Sequence, residues 1–378
     1  MSAAVAANRA ILVVLPGDGV GPEVTGEARR VLEWFDKRRG LSFDVRDRVI
    51  GVASYRKSGR LLTDETLSDI MAADAVLFGA QGGPDYDDIP VKARREGGLL
   101  RLRRELGLYA NLRPVKAIPA LADVSPLKPE VTRGVDLLVL RELTGGVYFG
   151  EPRGIERLAD GSERGVNTQV YTTGEIQRIG RVAFALARRR RGAVCSVEKS
   201  NVMESGALWR RVMQDLHDSE FTDVKLSHMY ADNCAMQLIL APRQFDVVVT
   251  DNLFGDLLSD AAGSIMGSLG MLPSASLNGL DGQGRRRALY EPVHGSAPDI
   301  AGRGIANPLA AIMSLAMAFR HSFARDSDAD LIDAAVGNVI AAGVRTKDIA
   351  ASGTKAVSTS GMGDAVIAEL QRLNDQGR

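Results

Sequence analysis

The sequence predicts an α/β protein with a largely parallel sheet, and three observations carry that prediction. Short runs of apolar, often β-branched residues recur along the 378-residue chain. Stretches with helical spacing of apolar residues lie between them, and Gly, Pro, Asn or Asp marks most junctions. The runs themselves are apolar on both faces, as strands covered by helices on either side must be.

Taken in order, residues 1–8 read as an Ala-rich tail. Ala10–Leu15 is the first strand; it runs straight into a Gly/Pro turn and is better read as a strand than as the apolar core of a signal peptide. PGDGVGPEV then opens a helix that continues through Phe35, with Pro22 in its first turn. Gly17, Gly19 and Gly21 follow a strand, but a dinucleotide fingerprint needs glycine where Pro22 stands. A standard Rossmann fold is therefore rejected, although these glycines suit a close backbone approach. Phe43–Ile50 is a second strand, Thr63–Met71 a capped helix, and Ala75–Gly79 a third strand ending in AQGGP.

Leu99–Leu106 is helical and crowds Arg101, Arg103 and Arg104. Asn111-Leu112-Arg113-Pro114 closes that segment before a new strand. Val135–Glu142 is a buried strand with Arg141 at its carboxyl end, where open α/β sheets place functional groups. The glycines around Tyr148 in TGGVYFGEPRG predict an extended arm or hairpin. Thr173–Arg190 is a long helix, whose terminal basic run Arg188–Arg191 complements the helix dipole better than it suggests an anion patch.

Ala193–Val197 is a strand delivering Glu198 and Lys199, and Phe221–Tyr230 is strand-like before Ala231-Asp232. Phe245–Thr250 is another buried strand, with Asp251-Asn252 supplying the cap of an amphipathic helix. Small residues from Gly263 to Ser276 look like a hinge. Leu309–Phe319 is an apolar helix, and the chain from Leu331 reads helix, strand, helix.

Bulk composition narrows the function. Lys+Arg and Asp+Glu are equal at 47 each, so no net charge draws the chain to nucleic acid or an anionic membrane. No apolar run is long enough to span a bilayer. Cys195 and Cys234 make no disulfide framework and fit a reducing compartment, so a cytoplasmic protein is expected.

Asp256 and Asp260 sit four apart, so both carboxylates leave one helix face and repel unless a cation lies between them. Alone, such a pair is usually a solvated acidic face. Here, however, Arg141, Tyr148, Lys199 and Asp232 also stand where apolar strands end, and Arg103 and Arg113 bracket a helix end. Cations, a phenol, a lysine and three aspartates together suit a dicarboxylate bound through a divalent metal.

These segments resemble the β-decarboxylating dehydrogenases of the isocitrate/isopropylmalate dehydrogenase family. The matching motifs are LPGDGVGPEV, LRRELGLYANLRP, VLRELTGGVYFGEPRG, VEKSNVMES, YADNCAM, NLFGDLLSD and HGSAPDIAGRGIANP, in one order along nearly the whole chain. The resemblance implies a two-domain fold, with 1–108 plus 267–378 forming the cofactor side. Residues 109–266 would hold the metal, the catalytic groups and the interface of a homodimer, with the site in a cleft that closes by hinge motion.

It further implies that Arg103, Arg113 and Arg141 hold substrate carboxylates. Asp256 and Asp260 would bind Mg²⁺ or Mn²⁺, with Asp232 and Lys199 entering from the partner subunit. Lys199, its pKa shifted by neighbouring charge, would accept the hydroxyl proton, and Tyr148 would protonate the enol carbon after decarboxylation. His294, Gly295, Ser296, Ala297, Asp299 and Asn307 would bind NAD, because the Asp299 carboxylate accepts ribose hydroxyls and repels a 2′-phosphate.

Glu96, Leu99 and Leu100 would line the substrate pocket. Two leucines form an apolar wall suited to 3-isopropylmalate, an intermediate of leucine biosynthesis, rather than isocitrate. A D-malate or tartrate dehydrogenase is the nearest alternative, and a non-catalytic subunit would have lost residues that are all present here. Two departures stand out: Gln81 replaces an expected aliphatic residue in AQGGP, and KARREGG is unusually basic.

Overall fold

Two five-stranded arrangements account for most of the apolar runs. The computed structural model describes residues 9–282, 284–351 and 355–376; the predicted tail at 1–8 lies outside them. Among these residues, those up to Leu106 and from Gly270 onward form one compact unit, and Gly107–Leu269 another.

In the first unit the strand order is Phe43–Asp47, Ala10–Gly17, Ala75–Ala80, Ala288–Pro292 and Pro273–Leu277. Only the last pair is antiparallel. Leu12 to Leu15 and Val76 to Phe78 are fully buried, as strands covered on both faces require. The helix Leu309–His321 is buried along nearly its whole length, and its Phe319 ring meets Phe35 edge-on at 5.1 Å.

Pro273–Leu277 and Ala288–Pro292 were not legible as strands, since the first is mostly small and hydroxylated. Ser274 is nevertheless buried, its Oγ donating to the Glu291 carbonyl at 2.9 Å, so its polarity is satisfied inside the sheet.

The second unit orders its strands Ala110–Lys116, Asp136–Glu142, Val247–Thr250, Ala193–Glu198 and Lys225–Tyr230. The first pair is antiparallel and the rest are parallel. Their register brings Arg141 opposite Thr250, Thr250 opposite Val197, and Glu198 opposite Tyr230. Arg141, Asp251, Lys199 and Asp232 therefore all leave one carboxyl edge, where a parallel sheet offers its open crevice.

Three local expectations need correction. The strand at Ala110–Lys116 starts before Asn111 and contains Pro114. Pro114 faces Leu138 as a non-hydrogen-bonded pair, because Leu138 N donates to Asp246 O at 2.9 Å; the missing proline N–H therefore breaks nothing there. Tyr148 ends a 3-10 turn, Gly146–Tyr148, and the hairpin Gly154–Arg157 with Glu163–Val166 comes after it.

The described part of the tail has no strand between the helices Asp326–Ala341 and Thr359–Gln376. Gly343 adopts φ +83°, Lys347–Ile349 forms a 3-10 turn, and Val357 N donates to Arg345 O at 2.8 Å.

The basic run ends its helix structurally. Arg188 is paired with Asp223 at 2.6 Å, and Arg190 with Asp136 at 2.6 Å and Asp246 at 2.8 Å. Cys195 and Cys234 are both buried and unbridged, and burial pushes their thiols up to about 11 and about 12, leaving them inert at neutral pH.

Candidate active site

The charged cluster of the second unit is built on the helix Asn252–Gly263. Asp251 caps it, its carboxylate accepting from Phe254 N at 2.7 Å. This fixes the helix start, and with it the face from which Asp256 and Asp260 project. Arg141, buried at the end of its strand, donates to Asp256, and Tyr148 Oη donates to the other carboxylate oxygen of Asp256 at 3.0 Å. Arg113 reaches Asp260 at 3.0 Å and stands 3.5 Å from Asp256. Arg113, Arg141, Tyr148, Asp256 and Asp260 are thus brought together.

Burial raises the Asp260 carboxyl above its ordinary range, and the like charge of Asp256 adds to the effect while Arg113 opposes it. Burial and the neighbouring Asp256 raise the Tyr148 phenol as well, so it stays protonated at neutral pH. Two hard carboxylates held on one face, with like-charge repulsion between them, match the donor chemistry that Mg²⁺ or Mn²⁺ prefers.

Lys199 and Asp232 form a separate pair. The Lys199 ammonium lies 2.8 Å from Asp232 Oδ2 and 5.4 Å from the centre of the Tyr230 ring. The hydrogen bond from Lys199 lowers the Asp232 pKa. Asp232 opens the helix Ala231–Leu240, so its carboxylate also faces a helix N-terminus.

The remaining candidates belong to the first unit. Leu99, Leu100 and Arg103 share the short helix Gly98–Glu105, with Leu100 44% exposed and Arg103 paired to the buried Glu291 at 2.7 Å. Glu96 stands apart, ending the preceding helix Val91–Glu96 with an exposed side chain 3.9 Å from Lys92.

In the predicted cofactor segment, Ser296 is buried and its carbonyl accepts from Val20 N at 2.8 Å. Ala297 holds φ +41°, Gly295 and Asp299 are exposed, and Asn307 donates to Asp348 at 3.0 Å. His294 is desolvated, which lowers its pKa and keeps the ring neutral; one ring nitrogen is buried without a partner.

Sequence reasoning missed the residues that aim the arginines. The Asn252 amide oxygen accepts from Arg141 Nε at 3.0 Å and Nη2 at 2.7 Å, and its nitrogen donates to the Gly145 carbonyl at 3.0 Å. Asn111 Oδ1 accepts from Arg113 Nε at 2.8 Å, and Ser259 Oγ accepts from Nη1 at 2.7 Å. Asn252 and Ser259 lie inside NLFGDLLSD, beside the charged positions Asp256 and Asp260, so the motif itself carries the signal.

With this geometry in place, comparison with known proteins is decisive. The family model described as isocitrate/isopropylmalate dehydrogenase matches residues 11–366. The chain belongs to that family. Among curated relatives, the 3-isopropylmalate dehydrogenase of Paramagnetospirillum magneticum is 56% identical over 96% of this chain and 98% of its own length. That of Cereibacter sphaeroides is 58% identical over 95% and 98%. Among solved structures, an isocitrate dehydrogenase from Methylococcus capsulatus superposes with TM-score 0.82 at 32% identity, covering 96% of this chain and 99% of its own. A β-decarboxylating dehydrogenase from Thermococcus kodakarensis gives TM-score 0.76 at 33% identity over 97% of both chains. The family likeness therefore extends from sequence to fold.

Proposed function

We propose that the chain catalyses the NAD-dependent oxidative decarboxylation of 3-isopropylmalate to 4-methyl-2-oxopentanoate and CO₂, in leucine biosynthesis. The observation that carries the reading is Asp256, held between Arg141 and the Tyr148 hydroxyl with Arg113 beside it. Relatives of that name at 54–58% identity support the substrate choice. Leu99 and Leu100 support it too, offering an apolar wall where a third carboxylate would find no partner.

Arg113 and Arg141 would orient the substrate carboxylates through planar guanidinium forks, with Arg103 completing the set. Mg²⁺ or Mn²⁺ on Asp256 and Asp260, when bound, supplies Lewis acidity toward the substrate hydroxyl and the carbonyl that replaces it. Lys199 Nζ, as the uncharged amine, would accept the hydroxyl proton, and NAD, when bound, would supply the acceptor for the C2 hydride. Loss of the β-carboxylate as CO₂ leaves an enol, and Tyr148, still protonated at neutral pH, supplies the proton to C3 through its Oη. The carboxylate of Asp299 would hold the ribose hydroxyls of NAD.

Asp232 and Lys199 would act in the site of a second copy, and exposed apolar side chains support a homodimer. Met236, Ile239 and Leu240 on one helix are 50–61% exposed, and Leu257 on the aspartate helix is 62% exposed. Among the described residues no helix is long and apolar enough to cross a membrane, and the cytoplasm is the proposed location.

The test is NADH formation by the purified protein with 3-isopropylmalate, D-malate and isocitrate, each with Mg²⁺ and with a chelator. Chelator-sensitive turnover favouring 3-isopropylmalate is expected. Faster turnover on D-malate would overturn the account of the leucine wall, and no turnover on any of the three would overturn the catalytic reading.

A further inference from the structure

We propose that Gln81 is a positioning residue for substrate selectivity, setting the first turn of the helix that carries Leu99 and Leu100. The inference rests on the reading of those leucines as the substrate's apolar wall. The helix Gly98–Glu105 begins poorly: its N-cap is Gly97, which has no side chain, and its first residue is Gly98 at φ +67°. Two glycines at the start leave the backbone loosely specified and the first N–H groups without a local acceptor.

Gln81, far upstream in sequence, supplies that acceptor. Its Oε1 accepts from Leu99 N at 2.8 Å. A backbone N–H can only donate, so the atom set against Leu99 N must be the amide oxygen, which leaves the amide nitrogen beside it. That nitrogen is buried and has no hydrogen-bond partner. An aliphatic residue would avoid the desolvated, unpaired N–H, so the cap to Leu99 is what the amide contributes here. Gly98 makes the arrangement possible: a Cβ there would stand 2.7 Å from both amide atoms of Gln81.

Gln81 is itself held firmly. It follows the strand Ala75–Ala80, and its neighbour Gly82 donates to the buried Asp18 carboxylate at 3.2 Å. Asp18 N in turn donates to Ala80 O at 2.8 Å, and Asp18 Oδ1 accepts from Val52 N at 2.8 Å. The sheet thus fixes Gln81, and Gln81 fixes Leu99. A hydrogen bond of this kind changes an equilibrium by roughly twofold to tenfold.

The experiment compares Gln81→Met, Gln81→Glu and Leu99→Ala in the full-length protein. The readouts are the ratio of kcat/KM for 3-isopropylmalate to that for D-malate, and hydrogen exchange in the peptide spanning 97–103. Both substrates are dicarboxylates, so any effect of the added charge in Gln81→Glu cancels in the ratio. Gln81→Met should lower the ratio about threefold to tenfold and speed exchange at Leu99. Gln81→Glu keeps the acceptor and should keep both. An unchanged ratio in Gln81→Met alongside a collapsed one in Leu99→Ala would overturn the proposal and leave the wall standing. Equal losses in Gln81→Met and Gln81→Glu would also overturn it. A ratio unmoved by Leu99→Ala would sink the wall reading and this proposal with it.

Discussion

The aspartate helix and the His294–Asn307 segment serve one proposed reaction but are organised in opposite ways. Around Asp256 and Asp260 the structure is held by side chains: Arg113 and Arg141 are paired to the carboxylates and aimed in turn by Asn111, Ser259 and Asn252. The cofactor segment is held largely through its backbone. Ser296 O accepts from Val20 N at 2.8 Å, and Gly302 N and Gly304 N donate to Glu23 at 2.5 Å and 3.0 Å. The contrast follows from the chemistry. Where charge develops during reaction, dipoles and charges must already be oriented, whereas a large ligand is recognised mainly by the shape of the chain around it.

The sharpest way to break the comparison is to remove charge from the first region. Lys199→Met and Asp256→Ala should each lower kcat on the order of 10³-fold, with the fold intact by circular dichroism. Co-expressing the two variants tests where Lys199 acts. If it serves the partner's site, half the dimers are mixed and one site in each is complete, restoring about a quarter of the parent activity. Activity no higher than that of either variant alone would show that Lys199 serves its own chain's site.

A smaller effect is expected in the second region, confined to the cofactor. Asp299→Ala removes a charged acceptor but leaves the backbone-held loop in place. The kcat/KM for NAD should fall about tenfold to a hundredfold, while KM for 3-isopropylmalate stays within about twofold. A large fall in kcat at saturating NAD would mean that this carboxylate organises more than the ribose.

The same contrast explains what the sequence revealed. Side-chain chemistry is written in residue types, so Arg113, Arg141, Tyr148, Asp256 and Asp260 could be named before any coordinate was known. Strands rich in Val and Leu and helices with a cap such as Asp251 or Thr63 were equally visible. Features specified by distant partners were not. The strand Pro273–Leu277 is polar in sequence and apolar only in its setting. Glu291 reads as an ordinary acid until Arg103 is found beside it, and the amide of Gln81 has no visible purpose until Leu99 N is placed against it.

Asp251 gives the finest test, because it separates building the side-chain-held region from running its chemistry. Its buried carboxylate accepts from Phe254 N and, at 2.8 Å, from Gln169 Nε2. Burial, reinforced by Glu142, pushes its pKa up to about 6, against the opposing effect of these hydrogen bonds and of Arg141. A carboxyl with a raised folded pKa adds stability below its unfolded pKa of 3.8, and that contribution is lost as pH rises through about 6. Above that pH the charged, buried group is a burden of up to about 3 kcal/mol. Asp251→Asn removes the charge and keeps an acceptor for Phe254 N. The new amide N–H can meet Gln169 Oε1, which is buried without a partner in the parent, once the Gln169 amide turns over. The variant should therefore melt a few degrees above the parent at pH 7.5, with the gap closing toward pH 4.5 and turnover preserved. A gap of the same size at both pH values would mean that the gain comes from packing, and that Asp251 is not a buried charge tolerated for its cap.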